Sequence, residues 1–245
     1  MAYQEWRDPT VARAWDARGN EANPLRPYQL DALASVLACI LQPGEWVIDL
    51  GYGSGKVEAF LFPRLPEVRV LGVDRSEAMM ELARERLAPY ADRFVSVTRD
   101  LLDLAGWHPP QARYGCVLAV QSLHHLLHEQ MPGVYKWAAG VLRPGGVFAL
   151  LDRVQVDAAV WEPMQALWSH MDALHDSAWA AHEGASYEEH QQRVQDRGDR
   201  PATVEQHLQW LRAAGLVPAP LYVVGNRALI VAVKKDESDS ASKNG

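Results

Sequence analysis

The chain has 245 residues, of which 48 % are hydrophobic and 22 % charged, as in a globular protein with a sizeable core. Its formal net charge of −7 argues against a surface that binds the phosphate backbone of a nucleic acid. No apolar run approaches the ~20 residues of a membrane span, and the N-terminal MAYQEWRDPT is not a basic-then-apolar signal segment. We therefore expect a cytoplasmic protein without membrane contact. Cys39 and Cys116 lie in separate apolar runs, which predicts buried free thiols.

The first part of the chain alternates helix-like and strand-like segments. Apolar residues at helical spacing over 28–41, directly after Pro27, predict a helix, and Ser76 is placed to begin another. Buried strands are predicted at 46–50, 68–73, 94–98, 114–120 and 146–151. Strands that alternate with helices predict a parallel sheet with helices on both faces.

The end of the chain breaks this alternation. Thr203 and Gln206 form a capping-box pattern, and Gly215 supplies a helix stop. The apolar runs PLYVV and ALIVAV then flank a short Gly-Asn-Arg turn, which predicts an antiparallel hairpin. The predicted fold class is α/β: a Rossmann-like, mostly parallel sheet of seven strands with an antiparallel terminal hairpin.

Residues 155–202 do not fit the alternation and predict a helical insertion before the last helix. Met164, Trp168 and Met171 fall at helical spacing after Pro163. An insertion here would lie near the carboxyl ends of the strands, where ligands bind in open α/β sheets. It either forms a lid or substrate wall, or only covers the sheet or a dimer contact. Its tryptophans suit an apolar or aromatic small molecule, the alternative being ordinary core; they are Trp161, Trp168 and Trp179.

A glycine loop, Asp49-Leu50-Gly51-Tyr52-Gly53-Ser54-Gly55, directly follows the first strand. Glycines at alternating positions let the backbone turn sharply and approach a ligand closely. The third glycine of the dinucleotide fingerprint would fall on Lys56, so that fingerprint fails, and no P-loop ending follows. The sequence therefore predicts a nucleotide-type ligand site that is neither a dehydrogenase fingerprint nor a P-loop.

Two acidic residues follow later strands. Asp74 ends the second strand and is placed to accept hydrogen bonds from both ribose hydroxyls of a nucleoside, the alternative being a helix-capping role. Asp100 follows the third strand and is placed to accept from an adenine amino group, the alternative being a turn-forming role.

Taken together, the segments VIDLGYGSG, LGVDRSEAMMELA, VTRDLLDL and VLAVQSLHHL resemble the class I S-adenosylmethionine-dependent methyltransferases. LRPGG before a strand and WLRAAGL before the terminal hairpin add to the resemblance, which covers about residues 25–234. It implies S-adenosylmethionine as cofactor, S-adenosylhomocysteine as product, and methyl transfer by in-line displacement.

The resemblance also implies a set of cofactor-binding residues, carried over by position. They are Asp49, Gly51, Tyr52, Gly53, Ser54, Gly55, Asp74, Arg75, Met79, Asp100, Leu101, Val120 and Gln121. Tyr52 departs from the family pattern, in which a smaller residue is usual, and either shapes the pocket mouth or is neutral. We expect residues 1–27 to form a lid segment in which Arg26 pairs with the methionine carboxylate, the alternative being an exposed arginine. A single domain over 1–235 and a disordered tail over 236–245 complete the predicted organisation.

His124 and His125, just past the fourth strand, are the candidate catalytic bases, needed only where the acceptor must lose a proton. A structural role for one of them is the alternative. No metal site is predicted, because His170 and His175 do not share one helix face. We expect a small-molecule acceptor, no nucleic acid, and a chain that could form a homodimer. The competing functions are a non-catalytic S-adenosylmethionine-binding regulatory protein, a tRNA-modifying relative and, less favoured, a nicotinamide-dependent oxidoreductase.

Overall fold

The computed structural model describes residues 8–18 and 23–236. The predicted lid segment is therefore described only in part, and the predicted tail lies, from residue 237 on, outside the described residues. The strands are β1 (Trp46–Leu50), β2 (Arg69–Asp74), β3 (Phe94–Thr98), β4 (Tyr114–Val120), β5 (Leu142–Arg153), β6 (Leu216–Val224) and β7 (Arg227–Lys234). The α-helices are α1 (Pro9–Arg18), α2 (Arg26–Ile40), α3 (Lys56–Leu61), α4 (Glu77–Arg86), α5 (Met131–Val141), α6 (Trp161–His175), α7 (Trp179–Glu183), α8 (Tyr187–Asp196) and α9 (Val204–Ala213).

Across the described ranges, the strands form one seven-stranded sheet in the order β3-β2-β1-β4-β5-β7-β6. The first five strands pair in parallel, whereas β7 pairs antiparallel with both β5 and β6. This confirms the predicted Rossmann-like fold class with its terminal hairpin. The strand order reverses between β1 and β4, which opens a crevice at the carboxyl ends of these two strands.

The two faces of the sheet are apolar because alternate residues of each strand point in opposite directions. Ile48 and Leu50 belong to the core that also holds Tyr135 of α5 and Leu211 of α9. Val47 belongs to the opposite core, which is built from residues of α2, α3 and α4. Asp49 lies two residues after Val47 in the strand, so its carboxyl points to the same face of the sheet, toward α2 and α3.

Several local signals in the sequence hold in the structure. The Ser76 side chain accepts a hydrogen bond from the backbone of Met79, and Thr203 and Gln206 form the predicted capping box. The strand β6 begins at Leu216, earlier than PLYVV indicated. It can contain Pro218 and Pro220 because it is the edge strand, where a missing backbone N–H costs no ladder bond on the open side.

The insertion contains three helices, α6, α7 and α8, and its tryptophans are not exposed to a ligand. Trp168 and Trp179 are fully buried, and with Trp161 they pack against Leu25 and Val156. The expectation that they line an acceptor cavity is therefore wrong, because they fill the joint between the insertion and the sheet. A smaller expectation also fails, because Cys39 is exposed rather than buried.

Candidate functional site

The glycine loop between β1 and α3 is held in an unusual backbone conformation. Gly51, Gly53 and Gly55 have φ angles of 76°, 58° and 74°. A Cβ at Gly51 would lie 2.6 Å from Ser122 Cβ, and one at Gly55 would lie 2.9 Å from Leu87 Cδ1. Gly53, in contrast, faces open space. The outer glycines thus allow close packing, and the central one leaves a concave backbone that a ligand can approach.

Asp74 connects this loop to the end of β2. Its Oδ2 accepts from the Gly53 N–H at 2.9 Å, and its Oδ1 accepts from the Ser76 N–H at 2.8 Å. Burial raises the pKa of Asp74 although these backbone hydrogen bonds oppose the shift. The backbone of Arg75 is a third donor. Because the two carboxylate oxygens have four lone pairs in all, Asp74 can still accept a hydrogen bond from a ligand hydroxyl.

Asp100 lies at the next strand end, beside the predicted Arg75. Its Oδ2 forms an ion pair with Arg75 Nη1 at 2.8 Å, and its Oδ1 accepts from the Leu102 N–H at 3.0 Å. Both residues line an open cavity of about 660 Å³. The predicted Met79 and Leu101 are buried nearby in sequence, on α4 and on the short 3₁₀ helix after Asp100. Asp100 therefore does form a turn, as one of its two predicted roles required. The cavity beside it also leaves space for a ligand.

The end of β4 crosses close to the glycine loop. Gln121 has a φ of 52°, a left-handed conformation that is uncommon for a non-glycine residue and concentrates at ligand-binding sites. The Ser122 hydroxyl then donates to the Leu50 carbonyl at 2.6 Å. The predicted Val120 is buried at the strand end. Nothing in the sequence indicated this strained turn, because the strain arises from the contact between two strand ends.

Tyr52 does not shape a pocket mouth. Its ring is buried, lies edge-on to Phe94 with centroids 5.2 Å apart, and covers Gly72, where a Cβ would come within 2.6 Å of the ring. Only the backbone of Tyr52 is available to a ligand in the loop. The large Tyr52 ring, where the family usually has a smaller residue, therefore fits because Gly72 has no side chain.

The first helix contacts the loop through one carboxylate. The Ser54 hydroxyl donates to Asp16 Oδ1 at 2.6 Å, and Arg86 of α4 pairs with Asp16 Oδ2 at 2.7 Å. Lys56 pairs with the same carboxylate at 3.2 Å. Helix α1 is thus attached to the loop by polar contacts rather than by a large apolar face.

Three further ionisable residues meet under the loop. Arg26 is half-buried, and its guanidinium Nη1 is buried without a hydrogen-bond partner among the described residues. Burial lowers the pKa of Arg26 to about 10, against the attraction of Asp152 and Asp49. The exposed-arginine alternative is therefore wrong. Glu58 of α3 faces Asp49 here and was not foreseen, because nothing local marks it as different from an exposed helical glutamate.

The two candidate bases lie together, but in different environments. His124 is buried, and its Nδ1 contacts the carboxylate of Asp152 at the end of β5. His125 is partly exposed, and its Nδ1 lies 3.3 Å from Asp199 Oδ1. Burial and the neighbouring His124 lower the pKa of His125, so its ring is neutral at pH 7.

Asp199 joins the two histidines, since its Oδ1 also lies 3.5 Å from His124 Nε2. Burial raises its pKa, but His124, His125 and Arg153 outweigh this and hold the pKa well below its usual range. Asp152 and Asp199 were missed in the sequence. The polar residue that ends the apolar strand β5 was a usable signal for Asp152, whereas Asp199 reaches the site only through the fold of the insertion. The His124, His125 and Asp199 ligand atoms lie within 4.8 Å of one another, a spacing that can also hold a metal ion.

Behind this group, Glu183 of α7 is the centre of a buried ionic cluster. Its carboxylate lies 3.2 Å from Arg227 and 3.5 Å from Arg153, with Arg197 at 3.9 Å. Burial raises the pKa of Glu183, but the arginines outweigh it and bring the pKa to about 2. A cavity of about 370 Å³ opens beside Asp199, between the chain after β5 and helix α8. The insertion therefore contributes both a charged joint and a cavity wall.

Comparison with known proteins places this site in a family context. Residues 47–146 match a family model described as a methyltransferase domain. Over 106 residues the chain is 40 % identical to trans-aconitate 2-methyltransferase of Variovorax paradoxus, a stretch that covers 42 % of this chain and 37 % of that protein. The chain thus spans well under half the length of that relative.

Two solved structures share the fold. An O-methyltransferase family protein from Burkholderia thailandensis superposes with a TM-score of 0.69 at 19 % identity, covering 96 % of this chain and 62 % of the other. Magnesium protoporphyrin IX methyltransferase from Synechocystis, solved with bound S-adenosylhomocysteine, gives a TM-score of 0.66 at 14 % identity, covering 95 % and 97 %. Within the described residues, no helix is both long and apolar enough to span a membrane.

Proposed function

We propose that the chain is a class I S-adenosylmethionine-dependent methyltransferase that transfers a methyl group from S-adenosylmethionine to a small-molecule acceptor. Its match to a methyltransferase domain and its fold support this proposal. The observation that carries the proposal is the contact between the Gly53 N–H and Asp74 at the crevice between β1 and β4. It joins the open glycine loop to the acid that is placed to bind a ribose diol.

The residues present fit this cofactor. Asp74 holds the ribose, Arg75 and Asp100 border the adenine, and Arg26 directs a buried, unpartnered Nη1 at the carboxylate of the methionine part. When bound, S-adenosylmethionine supplies a methyl group that its sulfonium already activates for displacement. The protein then needs mainly to position the acceptor and exclude water.

The acceptor binds in the cavity that Asp199 lines, and Asp199 links this cavity to His124 and His125. The neutral ring of His125 accepts a proton from an acceptor hydroxyl, and Asp199 stabilises the resulting imidazolium. His124, fixed by Asp152, orients this pair. A carboxylate acceptor would need no base. Because one relative is named for trans-aconitate, di- and tricarboxylic acids are the first acceptors to test.

The cofactor assignment is tested by thermal unfolding with S-adenosylhomocysteine and with NAD. A ligand at a hundredfold excess over its Kd stabilises a folded protein by about 2.7 kcal/mol, which raises the Tm of a chain of this size by about 5–11 °C. We expect this rise with S-adenosylhomocysteine alone. A rise with NAD and none with S-adenosylhomocysteine would overturn the assignment.

The transfer itself is tested with S-adenosylmethionine carrying a labelled methyl group and a panel of small acids, phenols and amines. We expect label in at least one acceptor, and its loss in His125→Ala if that acceptor is a hydroxyl. A folded protein that binds S-adenosylhomocysteine but labels no small acceptor would support the non-catalytic regulatory alternative.

A further inference from the structure

Two buried carboxyl groups face each other under the glycine loop. Asp49 is 1 % exposed and Glu58 is 0 % exposed. Asp49 is the penultimate residue of β1, before the loop, and Glu58 lies in the first turn of α3, after it. The loop residues that form the open cradle are thus anchored at both ends by a buried acid.

Among the described residues, no N–H or hydroxyl group of another residue donates to any of the four oxygens of this pair; the Glu58 carboxyl interacts only with the backbone of Glu58 itself. The two carboxyls lie within hydrogen-bond reach of each other. Two carboxylates cannot bond to each other, so the contact requires a proton on one of them. Burial of two ionised carboxyls without a donor would also be very costly.

The charged groups around the pair indicate which carboxyl holds the proton. Asp74 raises the pKa of both carboxyls. Asp49 also interacts with the Arg26 guanidinium, which lowers its pKa, whereas no cation among the described residues lowers the pKa of Glu58. Tyr52 and Cys116 also face the pair, and burial raises the pKa of each of these groups, so both stay neutral. Glu58 is therefore the protonated partner, and Asp49 is the one that can carry charge.

We propose that Glu58 is a positioning residue for the cofactor: its protonated carboxyl donates to Asp49, keeps that side chain anionic and directs it at the ammonium group of the methionine part. This inference rests on the proposed function, because it takes the cofactor to lie in the glycine loop. Cofactor affinity is then linked to pH through Asp49, and binding releases a proton where Asp49 is partly protonated.

The direction and size of the pH effect follow from Asp49. Burial, opposed by the bond from Glu58, raises its pKa to about 6. Protonated Asp49 cannot attract an ammonium group, so affinity falls as the pH falls through this value. From pH 7 to pH 5 we expect about a tenfold rise in the Kd of S-adenosylhomocysteine.

Two substitutions separate a donor role from simple packing. Glu58→Gln keeps an amide N–H that donates to Asp49, and we expect it to bind S-adenosylhomocysteine like the natural protein at pH 7. Glu58→Met fills similar space without a donor, which raises the pKa of Asp49; we expect at least a tenfold weaker Kd at pH 7 that recovers toward pH 8.5. Glu85→Met, which removes an exposed glutamate of α4, is the matched control and should change neither quantity.

The Kd of S-adenosylhomocysteine is measured by isothermal titration calorimetry between pH 5 and pH 8.5. At pH 6 the titration is repeated in two buffers of different ionisation enthalpy, which gives the number of protons released on binding. We expect release of about half a proton at pH 6 and rescue by glutamine but not methionine. A Kd independent of pH, or a folded Glu58→Met that binds normally at pH 7, would overturn the inference and leave the proposed function intact. Absence of binding at every pH by the folded natural protein would overturn both. If Glu58→Met does not fold, the proton release and the pH profile of the natural protein still decide.

Discussion

At the residue scale, Asp74 shows how one side chain connects the chain's local motifs. It accepts from the backbone of the glycine loop and from the first turn leading into α4, so it fixes the loop and is placed to bind the ribose with the same two oxygens. His124 and His125 show the opposite case, since adjacent residues of one type have different partners and different exposure.

For Asp74→Ala we expect S-adenosylhomocysteine binding to weaken by ~2–4 kcal/mol, because two hydrogen bonds to a charged acceptor are lost. Calorimetric titration measures the loss, and circular dichroism checks the fold. Asp92→Ala, at an exposed position outside the site, is the control. Near-normal affinity in a folded Asp74→Ala would remove Asp74 from the site.

Trp168→Ala tests the packing of the insertion against the sheet. Trp168 is fully buried, so its truncation should lower the free energy of unfolding by ~3–5 kcal/mol. Leu174→Ala on the same helix is the control, because Leu174 is 63 % exposed and should change stability by less than about 0.5 kcal/mol. Urea denaturation measures both, and equal small effects would mean that the tryptophan cluster is not a packed core.

At the scale of elements, buried polar contacts help to attach two segments to the sheet, in addition to apolar packing. Helices α7 and α8 meet β5 and β7 through Glu183 and its arginines. Helix α1 meets the glycine loop and α4 through Asp16. Such contacts depend on both partners being charged, which makes these segments sensitive to single substitutions and to pH.

Glu183→Gln removes the acidic partner of the buried Arg227 and one of two acidic partners of Arg153 and Arg197, which keep Asp199. We expect it to lower the free energy of unfolding by roughly 3–5 kcal/mol, since breaking a buried ion pair costs more than the pair contributes. Glu189→Gln, which breaks the more exposed i,i+4 pair with Arg193, should cost less than about 1 kcal/mol. Chemical denaturation compares the two; similar losses would contradict a central role for Glu183.

Asp16→Ala removes the carboxylate that joins α1 to Ser54, Lys56 and Arg86. If α1 acts as part of a lid, we expect S-adenosylhomocysteine to dissociate about tenfold faster, equivalent to about 1.4 kcal/mol. Asp31→Ala, which breaks the exposed pair with Arg64, a residue that follows α3, serves as control. Stopped-flow displacement measures the rate, and an unchanged dissociation rate would make α1 a structural cover only.

At the scale of the whole molecule, buried acids of two kinds make stability depend on pH in opposite directions. Asp49 and Glu58 have raised pKa values, so in the folded state they bind protons that the unfolded chain, with pKa values near 4, has lost. Glu183, Asp152 and Asp199 have lowered pKa values, so their contribution is present above about pH 4.5 and is lost as the pH falls toward their folded values.

Between pH 7 and pH 5 this first pair is opposed by histidines. Burial lowers the pKa of His125, His182, His190 and His207, so the unfolded chain takes up protons there that the folded chain does not.

The contribution of the carboxyl pair is therefore measured as a difference between two proteins. As the pH falls from 7 to about 5, we expect the free energy of unfolding of the natural protein to rise relative to that of Glu58→Gln, because only the natural protein binds the proton on Glu58. Below about pH 4 both proteins should lose stability together, as the second group is protonated. Denaturation curves of both proteins between pH 3 and pH 8 measure the difference, and a difference that does not change with pH would contradict this assignment.

The sequence alone determined the fold class, the antiparallel hairpin, the helix caps and the order of the cofactor-type motifs. These features depend on hydrophobic period, glycine spacing and capping residues, all of which act over a few neighbouring positions. Asp74 accepts a hydrogen bond from Gly53, 21 residues earlier in the chain. The order of the motifs had already predicted that the glycine loop and Asp74 belong to one site.

Only the tertiary structure decided which polar side chains meet across distant elements. Glu58 faces Asp49 because α3 folds back over β1, and Asp199 reaches His124 and His125 because the insertion returns to the end of β4. Likewise, only the structure showed that Trp161, Trp168 and Trp179 pack in a core and do not line an acceptor cavity. A side chain's charge state and exposure depend on what the fold places around it, and a one-dimensional pattern does not contain those neighbours.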